Sequence, residues 1–229
     1  EKLIKYMDID AKFIQPSYKD FKINTDEISS AIDDHTIGVI AIMGNHYGGQ
    51  YDPVWEVNDV VEKVNKDRGF QVGIHIDAAS GGFIAPFQEE LPAWDFRLKN
   101  VLSISASGHK FGESCIGTGW VVWRQRENLS DHVAISVSYL GGMGESYNLN
   151  FSRPASGIYV QYYKFLRYGI SGYQKICEHM MAHAQKIRVG LEKMKFEGKS
   201  RFVILDDGDK NCLPVVTAML NPECNFEYD

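Results

Sequence analysis

The sequence predicts an α/β fold, in which a mainly parallel sheet carries helices on both faces. Along the first half of the chain, strand patterns alternate with helical patterns, and this order is typical of parallel sheets. The run 37–43 is apolar throughout, as expected of a strand that is buried on both faces. Helical patterns and short strands follow, which predicts part of a small C-terminal α+β domain.

Each element of the first half has its own signal. The predicted strands lie at 11–15, 37–43, 71–76, from Val101 onwards and at 119–124. One predicted helix starts at an Asn24 cap, and a second starts at Pro53 with Asp52 as its cap. The apolar stripe of the second helix has helical spacing and consists of Val57, Val60, Val61 and Val64.

In the second half, the sequence pattern predicts helices at 158–168 and 173–194 and strands at 202–205 and 213–220. The long helical stretch is suited to carry the chain from one domain into another. We therefore predict a large domain over residues 1–175, and a linking helix with the start of a small domain over residues 176–229.

The composition excludes several classes of protein. The 229 residues are 44% hydrophobic and carry a formal net charge of −6, which argues against a nucleic-acid-binding surface. There is no stretch of about 20 apolar residues, so we expect no membrane span. No C-x-x-C pair occurs among Cys115, Cys177, Cys212 and Cys224, which argues against a zinc ribbon or a redox motif. Scattered single cysteines suit the reducing cytoplasm. We expect a cytoplasmic protein in which Cys115 is a small buried residue.

The stretch 103–112 (Ser-Ile-Ser-Ala-Ser-Gly-His-Lys-Phe-Gly) places a lysine among small residues just after the start of a predicted strand. Small side chains let the backbone approach a ligand, and hydroxyl and backbone N–H groups suit an anion such as phosphate. A lysine beside a bound anion is a candidate Schiff-base nucleophile. Lys110 is therefore a candidate catalytic residue, and the alternative is a solvated surface lysine.

The strand 71–76 runs directly into Asp77, which is followed by Ala-Ala-Ser-Gly-Gly. Parallel sheets bind ligands at the carboxyl ends of their strands, where Asp77 would lie. A lysine and a carboxylate are what a pyridoxal phosphate site needs, because the carboxylate keeps the ring nitrogen protonated. The alternatives are that Asp77 only caps a turn, or that His75, Asp77 and His109 hold a metal. A metal does not explain Lys110, so we predict no metal site and a hydrogen-bonded His75.

Three stretches together resemble the glutamate decarboxylases, which are pyridoxal-phosphate enzymes of fold type I. They are Asp77–Phe87, Ser103–Gly112 and Asn150–Pro154, and the resemblance extends from about Ile4 to about Met219. The resemblance implies the fold type I large domain and decarboxylation of L-glutamate to 4-aminobutanoate and CO2.

The resemblance also implies a role for each matching residue. Lys110 would form the Schiff base with pyridoxal phosphate, and Asp77 would bind the pyridine nitrogen. Ala79 would lie against the ring. Ser107 and His109 would contact the cofactor phosphate, and His109 would also lie near the substrate.

Two further cofactor contacts are implied less directly. In the family, the residue that matches Ser152 reaches the phosphate of the neighbouring subunit, which implies a homodimer or a larger homo-oligomer. The alternative is that Ser152 caps a helix that begins near Pro154. Many members carry a threonine at the position that aligns with His46, within the loop 44–50, so His46 is a candidate contact with altered chemistry.

The resemblance implies that this chain is the central portion of a longer enzyme. In the family, substrate-recognition residues lie upstream of the matched region, so we expect the 229-residue chain alone to be inactive. Two alternatives stay open. One is another fold type I decarboxylase or lyase, acting on an aromatic amino acid or sphingosine phosphate, and the other is a non-catalytic chain that keeps the fold for assembly.

Overall fold

The computed structural model describes residues 2–16, 21–137, 144–148, 150, 152–206, 208 and 211–224. The helices are α1 (Lys2–Tyr6), α2 (Thr25–Ala31), α3 (Val54–Arg68) and α4 (Ser156–Lys193). The strands are β1 (Gly38–Ile42), β2 (Gly73–Asp77), β3 (Val101–Ala106), β4 (Trp120–Trp123), β5 (Ile135–Val137), β6 (Gly144–Ser146), β7 (Lys195–Phe196), β8 (Lys199–Ser200), β9 (Phe202–Ile204) and β10 (Ala218–Leu220). Phe151, which belongs to one of the three resembling stretches, lies outside the described residues.

The central sheet has the strand order β1-β2-β3-β4. Strands β1, β2 and β3 are parallel, and β4 is antiparallel to β3. The register places His75 beside Ser103 and Asp77 beside Ser105. This arrangement confirms the predicted α/β class with a mainly parallel sheet, and it brings the carboxyl ends of β1, β2 and β3 to one edge.

The core lies where α3 packs against the sheet. Val57, Val61 and Val64 of the predicted stripe are buried, whereas Val60 is only half-buried. Asn58 also faces inward, and its side-chain oxygen accepts hydrogen bonds from the backbone and side-chain nitrogens of Asn100, both at 3.1 Å. These bonds fix the start of β3 against α3.

The prediction that Asp52 caps α3 is wrong. Pro53 occupies the N-cap position and no side chain caps the helix. The buried Asp52 carboxylate instead accepts hydrogen bonds from the backbone nitrogens of Ile23 at 2.8 Å and Ile42 at 2.7 Å. Burial raises its pKa, because the charged form loses water. Asp52 therefore joins β1 to the segment before α2 rather than starting a helix.

Three other sequence predictions need correction. Residues 11–15 form no strand, because the described part of the chain offers them no pairing partner. Within 213–220, only β10 forms, paired antiparallel with β9. Cys115 is exposed rather than buried.

The two predicted helices of the second half appear as one element, α4. The helix is interrupted at Gly169, whose φ of 58° and ψ of −166° are not helical. This interruption falls within the predicted gap between 168 and 173. Helix α4 passes through residue 175, so the domain boundary that we place there stays a prediction. Among the described residues, no helix has the length and apolar character needed to cross a membrane.

Candidate active site

The carboxyl ends of three strands are tied together by backbone hydrogen bonds. The N–H of Met43, just after β1, donates to the carbonyl of Asp77 at 2.9 Å, and the N–H of Gly81 returns to the carbonyl of Met43 at 2.9 Å. The N–H of Ala78 donates to the carbonyl of Ser105 at 2.9 Å. The loop after β2 is therefore held between the ends of β1 and β3.

Asp77 is the last residue of β2, and its half-buried side chain stands at this edge. Its Oδ1 accepts a hydrogen bond from the backbone N–H of Ala79 at 3.0 Å. No other described residue donates to the carboxylate, so Oδ2 is left for a ligand. The capping bond that we considered as an alternative is thus present, and it occupies only one of the two oxygens.

Lys110 lies in the turn that follows β3. Its Nζ donates to the Ser80 hydroxyl at 3.0 Å, and among the described residues it forms no ion pair. The N–H of Ser107 donates to the carbonyl of Ala79 at 3.2 Å. The structure therefore brings four predicted site residues together, namely Asp77, Ala79, Ser107 and Lys110.

His109 is oriented by Thr118, which lies two residues before β4. Its Nδ1 lies 2.9 Å from the carbonyl oxygen of Thr118, and its backbone N–H donates to the same oxygen at 3.2 Å. Because a carbonyl only accepts, Nδ1 carries the proton of this bond. In the neutral ring, Nε2 then has its lone pair available on the other side of the imidazole.

His75 lies two residues before Asp77 and is held by both of its ring nitrogens. Nδ1 lies 2.7 Å from the Ser103 hydroxyl, and Nε2 lies 3.3 Å from the Ser105 hydroxyl. Burial lowers the pKa of His75, although the charge of Asp77 opposes this effect. His75 is therefore the hydrogen-bonded support that the sequence predicted. Among the described residues, no group of three or more side chains is arranged to hold a metal ion.

Two predicted site residues do not join this cluster. His46 is exposed in the loop after β1 and stacks on Tyr47, with ring centroids 4.8 Å apart. Ser152 is exposed, and no described residue of the Lys110 cluster bonds to it. The capping alternative for Ser152 is wrong, because α4 begins at Ser156 with Ala155 at its N-cap.

The sequence interpretation missed several residues that shape the site. Ser80, the partner of Lys110, had a detectable signal, since it is a hydroxyl residue within the Asp77 stretch. Gln161 and Tyr173 had no such sequence signal. They bind the turn that carries Lys110, but they lie 49 and 61 residues away from the carbonyl that they contact. A separate surface cavity of about 560 Å³ is lined by residues such as Tyr51 and Trp55, and by none of the predicted site residues.

The side chains of this cluster have the chemical groups that are needed to bind pyridoxal phosphate. The Asp77 oxygen without a described partner suits a protonated ring nitrogen, and the Lys110 amine, which bonds only to a neutral hydroxyl among the described residues, suits an aldehyde. The hydroxyl of Ser107 suits a phosphate oxygen. The Nδ1–H of His109 is bonded to the Thr118 carbonyl, so its ring can donate to a phosphate oxygen through Nε2 when both ring nitrogens carry a proton. Ala79, whose backbone N–H bonds to Asp77, carries only a methyl side chain.

Comparison with known proteins gives one family for nearly the whole chain. The family described as "Pyridoxal-dependent decarboxylase conserved domain" matches residues 1–216. Among curated relatives, glutamate decarboxylase beta of Listeria monocytogenes is 41% identical over 228 residues, which is 100% of this chain and 48% of that protein. A glutamate decarboxylase of Lactococcus lactis subsp. lactis is 42% identical over 225 residues, which is 98% of this chain and 47% of that protein.

A solved structure gives the same result in three dimensions. The glutamate decarboxylase of Lactobacillus brevis superposes with a TM-score of 0.88 and 41% sequence identity. The match covers 96% of this chain and 48% of that one. The chain thus spans about half the length of the relatives that it matches.

Proposed function

Because this chain belongs to the family of pyridoxal-dependent decarboxylases, we propose that the complete protein converts L-glutamate into 4-aminobutanoate and CO2. Family membership confirms the predicted resemblance, the fold type I class and the dependence on a pyridoxal cofactor. The observation that carries the proposal is the meeting of Lys110 with the loop of Asp77, through the bond from Lys110 Nζ to Ser80. The substrate follows from the relatives, which are glutamate decarboxylases at about 40% identity.

In this proposal, each residue of the cluster has its own role. When bound, pyridoxal phosphate supplies an electron sink for the pair released as the bond to the α-carboxylate breaks. Lys110 would hold the cofactor through a covalent bond from its amine. The Asp77 carboxylate keeps the ring nitrogen protonated, Ala79 gives the ring room, and Ser107 and His109 bind the phosphate. The α-carbon gains a proton in exchange for the CO2 that leaves.

Incubation of the complete protein with pyridoxal phosphate, reduction with borohydride and peptide mapping by mass spectrometry tests the cofactor role. We expect the label on Lys110, and a Lys110→Ala variant without any label at this site. Lys99, which pairs with Glu62 at 2.7 Å on the surface, is a matched control, and Lys99→Ala should leave the labelling unchanged. A label on another lysine in the wild-type protein would refute the assignment.

The substrate is tested by offering L-glutamate, an aromatic amino acid and sphingosine phosphate separately. We expect 4-aminobutanoate and CO2 from glutamate, and no turnover of the other two. Faster turnover of the aromatic amino acid or of sphingosine phosphate would show that this compound, and not glutamate, is the substrate. A chain that is labelled at Lys110 and turns over none of the three would contradict the proposed activity while leaving the cofactor role standing.

We further propose a homodimer in which Ser152 binds the cofactor phosphate of the neighbouring subunit. The exposed position of Ser152, which caps no helix and joins no described bond of its own Lys110 cluster, supports this arrangement. We expect Lys110→Ala and Ser152→Asp subunits to be inactive separately and to regain activity when mixed. In the mixed dimer, one site carries both lesions and the other carries neither. Mixed dimers without activity would mean that Ser152 acts within its own subunit, and an active Ser152→Asp homodimer would mean that Ser152 has no role in the site.

His46 is proposed as a further contact at the edge of the site, in place of the threonine that many family members carry. We also propose a cytoplasmic location, which is supported by the four cysteines, since none of them forms a disulfide. Since the chain spans about half the length of its relatives, decarboxylation should require segments outside these 229 residues. The expected result is that the isolated chain is inactive while the complete protein is active.

A further inference from the structure

We propose that Gln161 and Tyr173 of α4 are positioning residues that hold the turn carrying Lys110 in the geometry needed for covalent attachment. This proposal rests on the proposed function, because it takes Lys110 as the residue that bonds to the cofactor. The turn consists of residues 107–112, and Lys110 lies near its centre. Neither Gln161 nor Tyr173 belongs to any of the stretches by which the chain resembles its family.

Both side chains bind the same backbone atom, two residues after Lys110. The Gln161 Nε2 donates to the carbonyl oxygen of Gly112 at 2.8 Å, and the Tyr173 hydroxyl donates to that oxygen at 3.1 Å. Gln161 Nε2 also lies 3.1 Å from the Tyr173 hydroxyl oxygen. The exposed fraction is 0% for Gln161 and 4% for Tyr173, so water does not compete for these bonds. A carbonyl oxygen has two lone pairs, and here both are used.

Gln161 also contacts the turn two residues before Lys110. A Cβ atom on Gly108 would lie 2.3 Å from Gln161 Oε1, so the two residues are in close contact and a side chain at 108 has no room. Oε1 itself is buried and has no hydrogen-bond partner among the described residues. A buried polar atom without a partner costs stability, and an apolar residue of the same size would avoid that cost. The amide therefore contributes something besides packing, and its donation to Gly112 is the contact that accounts for it.

Tyr173 is fixed by aromatic rings that come from the loop after β2 and from α4 itself. Its ring centroid lies 5.9 Å from those of Phe83 and Phe87 and 6.0 Å from that of Phe165. Rings in such contact favour a single orientation, so the hydroxyl points at Gly112 with little freedom. The cluster thereby links the loop that follows Asp77 to the turn that carries Lys110.

Further bonds join α4 to the chain just after the turn. The Ser114 hydroxyl donates to the carbonyl of Gly157 at 2.6 Å, and Lys164 pairs with Glu113 at 2.8 Å. Lys110 itself is exposed and bonds only to the Ser80 hydroxyl among the described residues. Since a lysine side chain has four flexible carbons, the backbone must supply the positioning that the side chain lacks. The contacts from α4 are in the right place to do so.

The experiment uses the complete protein and three variants: Gln161→Met, which keeps length but removes the donor, Tyr173→Phe, which keeps the ring, and the double variant. Gln185→Met, at an exposed position of the same helix, is the matched control. Pyridoxal phosphate affinity is measured by absorbance titration, labelling of Lys110 is measured after borohydride reduction, and urea unfolding of the cofactor-free protein is measured separately.

We expect each single variant to weaken attachment at Lys110 measurably, by up to about tenfold, because one of the two donors to the Gly112 carbonyl is lost and the other remains. The double variant leaves that carbonyl without a partner, so its loss should exceed the product of the two single losses. Gln185→Met should match the wild type. These affinities are compared only under conditions in which the cofactor-free proteins are folded.

The outcomes separate the two proposals. If the folded double variant binds the cofactor at Lys110 with wild-type affinity, and only its unfolding midpoint is lower, the residues are structural and the positioning role is refuted. If the double variant does not fold, Tyr173→Phe decides, and wild-type affinity in that variant refutes the role. If the wild-type protein is not labelled at Lys110 at all, the result refutes the proposed function itself, on which the positioning role rests.

Discussion

Gly81 allows a quantitative test of how the loop of Asp77 is held. A Cβ atom at this position would lie 2.3 Å from the carbonyl oxygen of Met43 and 3.0 Å from its carbonyl carbon. An ordinary contact begins at 3.4 Å, so the two segments must separate by about 1 Å in the Gly81→Ala variant. Met43 is 0% exposed, and its own N–H is bonded to the carbonyl of Asp77. The displacement therefore reaches the backbone of Asp77, the residue that we propose binds the cofactor ring.

The expected loss of stability combines two effects. Overpacking of a core costs about 1–3 kcal/mol, and weakening of the bond from Gly81 N–H to the Met43 carbonyl adds about 1 kcal/mol. We expect Gly81→Ala to lower the free energy of unfolding of the cofactor-free complete protein by about 2–4 kcal/mol in urea, and to weaken cofactor binding.

Gly190 provides the matched control, because it lies in α4 and a Cβ atom added there would meet no atom of the described residues within 4 Å. Gly190→Ala should leave cofactor binding unchanged and stabilise the protein by up to about 1 kcal/mol through helix propensity. A Gly81→Ala variant whose unfolding free energy lies within about 0.5 kcal/mol of the wild type would refute the close approach.

Two other predictions concern Asp77 and its support. Asp77→Asn keeps an oxygen for the Ala79 N–H but removes the charge, so the folded protein should keep its unfolding midpoint while kcat falls by about a hundredfold or more; near wild-type turnover would assign Asp77 another role. The pKa of His75 is lowered from 6.5, so the unfolded chain takes up its proton at a higher pH than the folded one. The contribution of His75 to stability is thus complete above about pH 6.5 and declines on acidification, and His75→Gln should flatten the fall in unfolding free energy between about pH 7 and about pH 5. Equal slopes in the two proteins would show that other groups control this range.

Local patterns predicted the strands of the central sheet and the stretches that carry the candidate site residues. The run 37–43 contains β1, and the valines at helical spacing mark the inner face of α3. Asp77 and Lys110 could be expected to lie near each other, because each comes at or just after the end of a strand within a stretch of small residues, and a parallel sheet brings such ends to one edge. The same reasoning failed for Asp52, where a residue with the sequence signature of a cap is used for tertiary bonds instead.

By itself, the sequence determined which residue types stand at the ends of β2 and β3, because strand pattern and loop composition are local properties of the chain. Only the tertiary structure decided what holds those residues in place. The register of β2 against β3 placed both ring nitrogens of His75 beside serine hydroxyls. The packing of α4 brought Gln161 and Tyr173 to the carbonyl of Gly112, across 49 and 61 residues. Such contacts depend on how helices and strands pack against each other, and no periodicity within a segment records that packing.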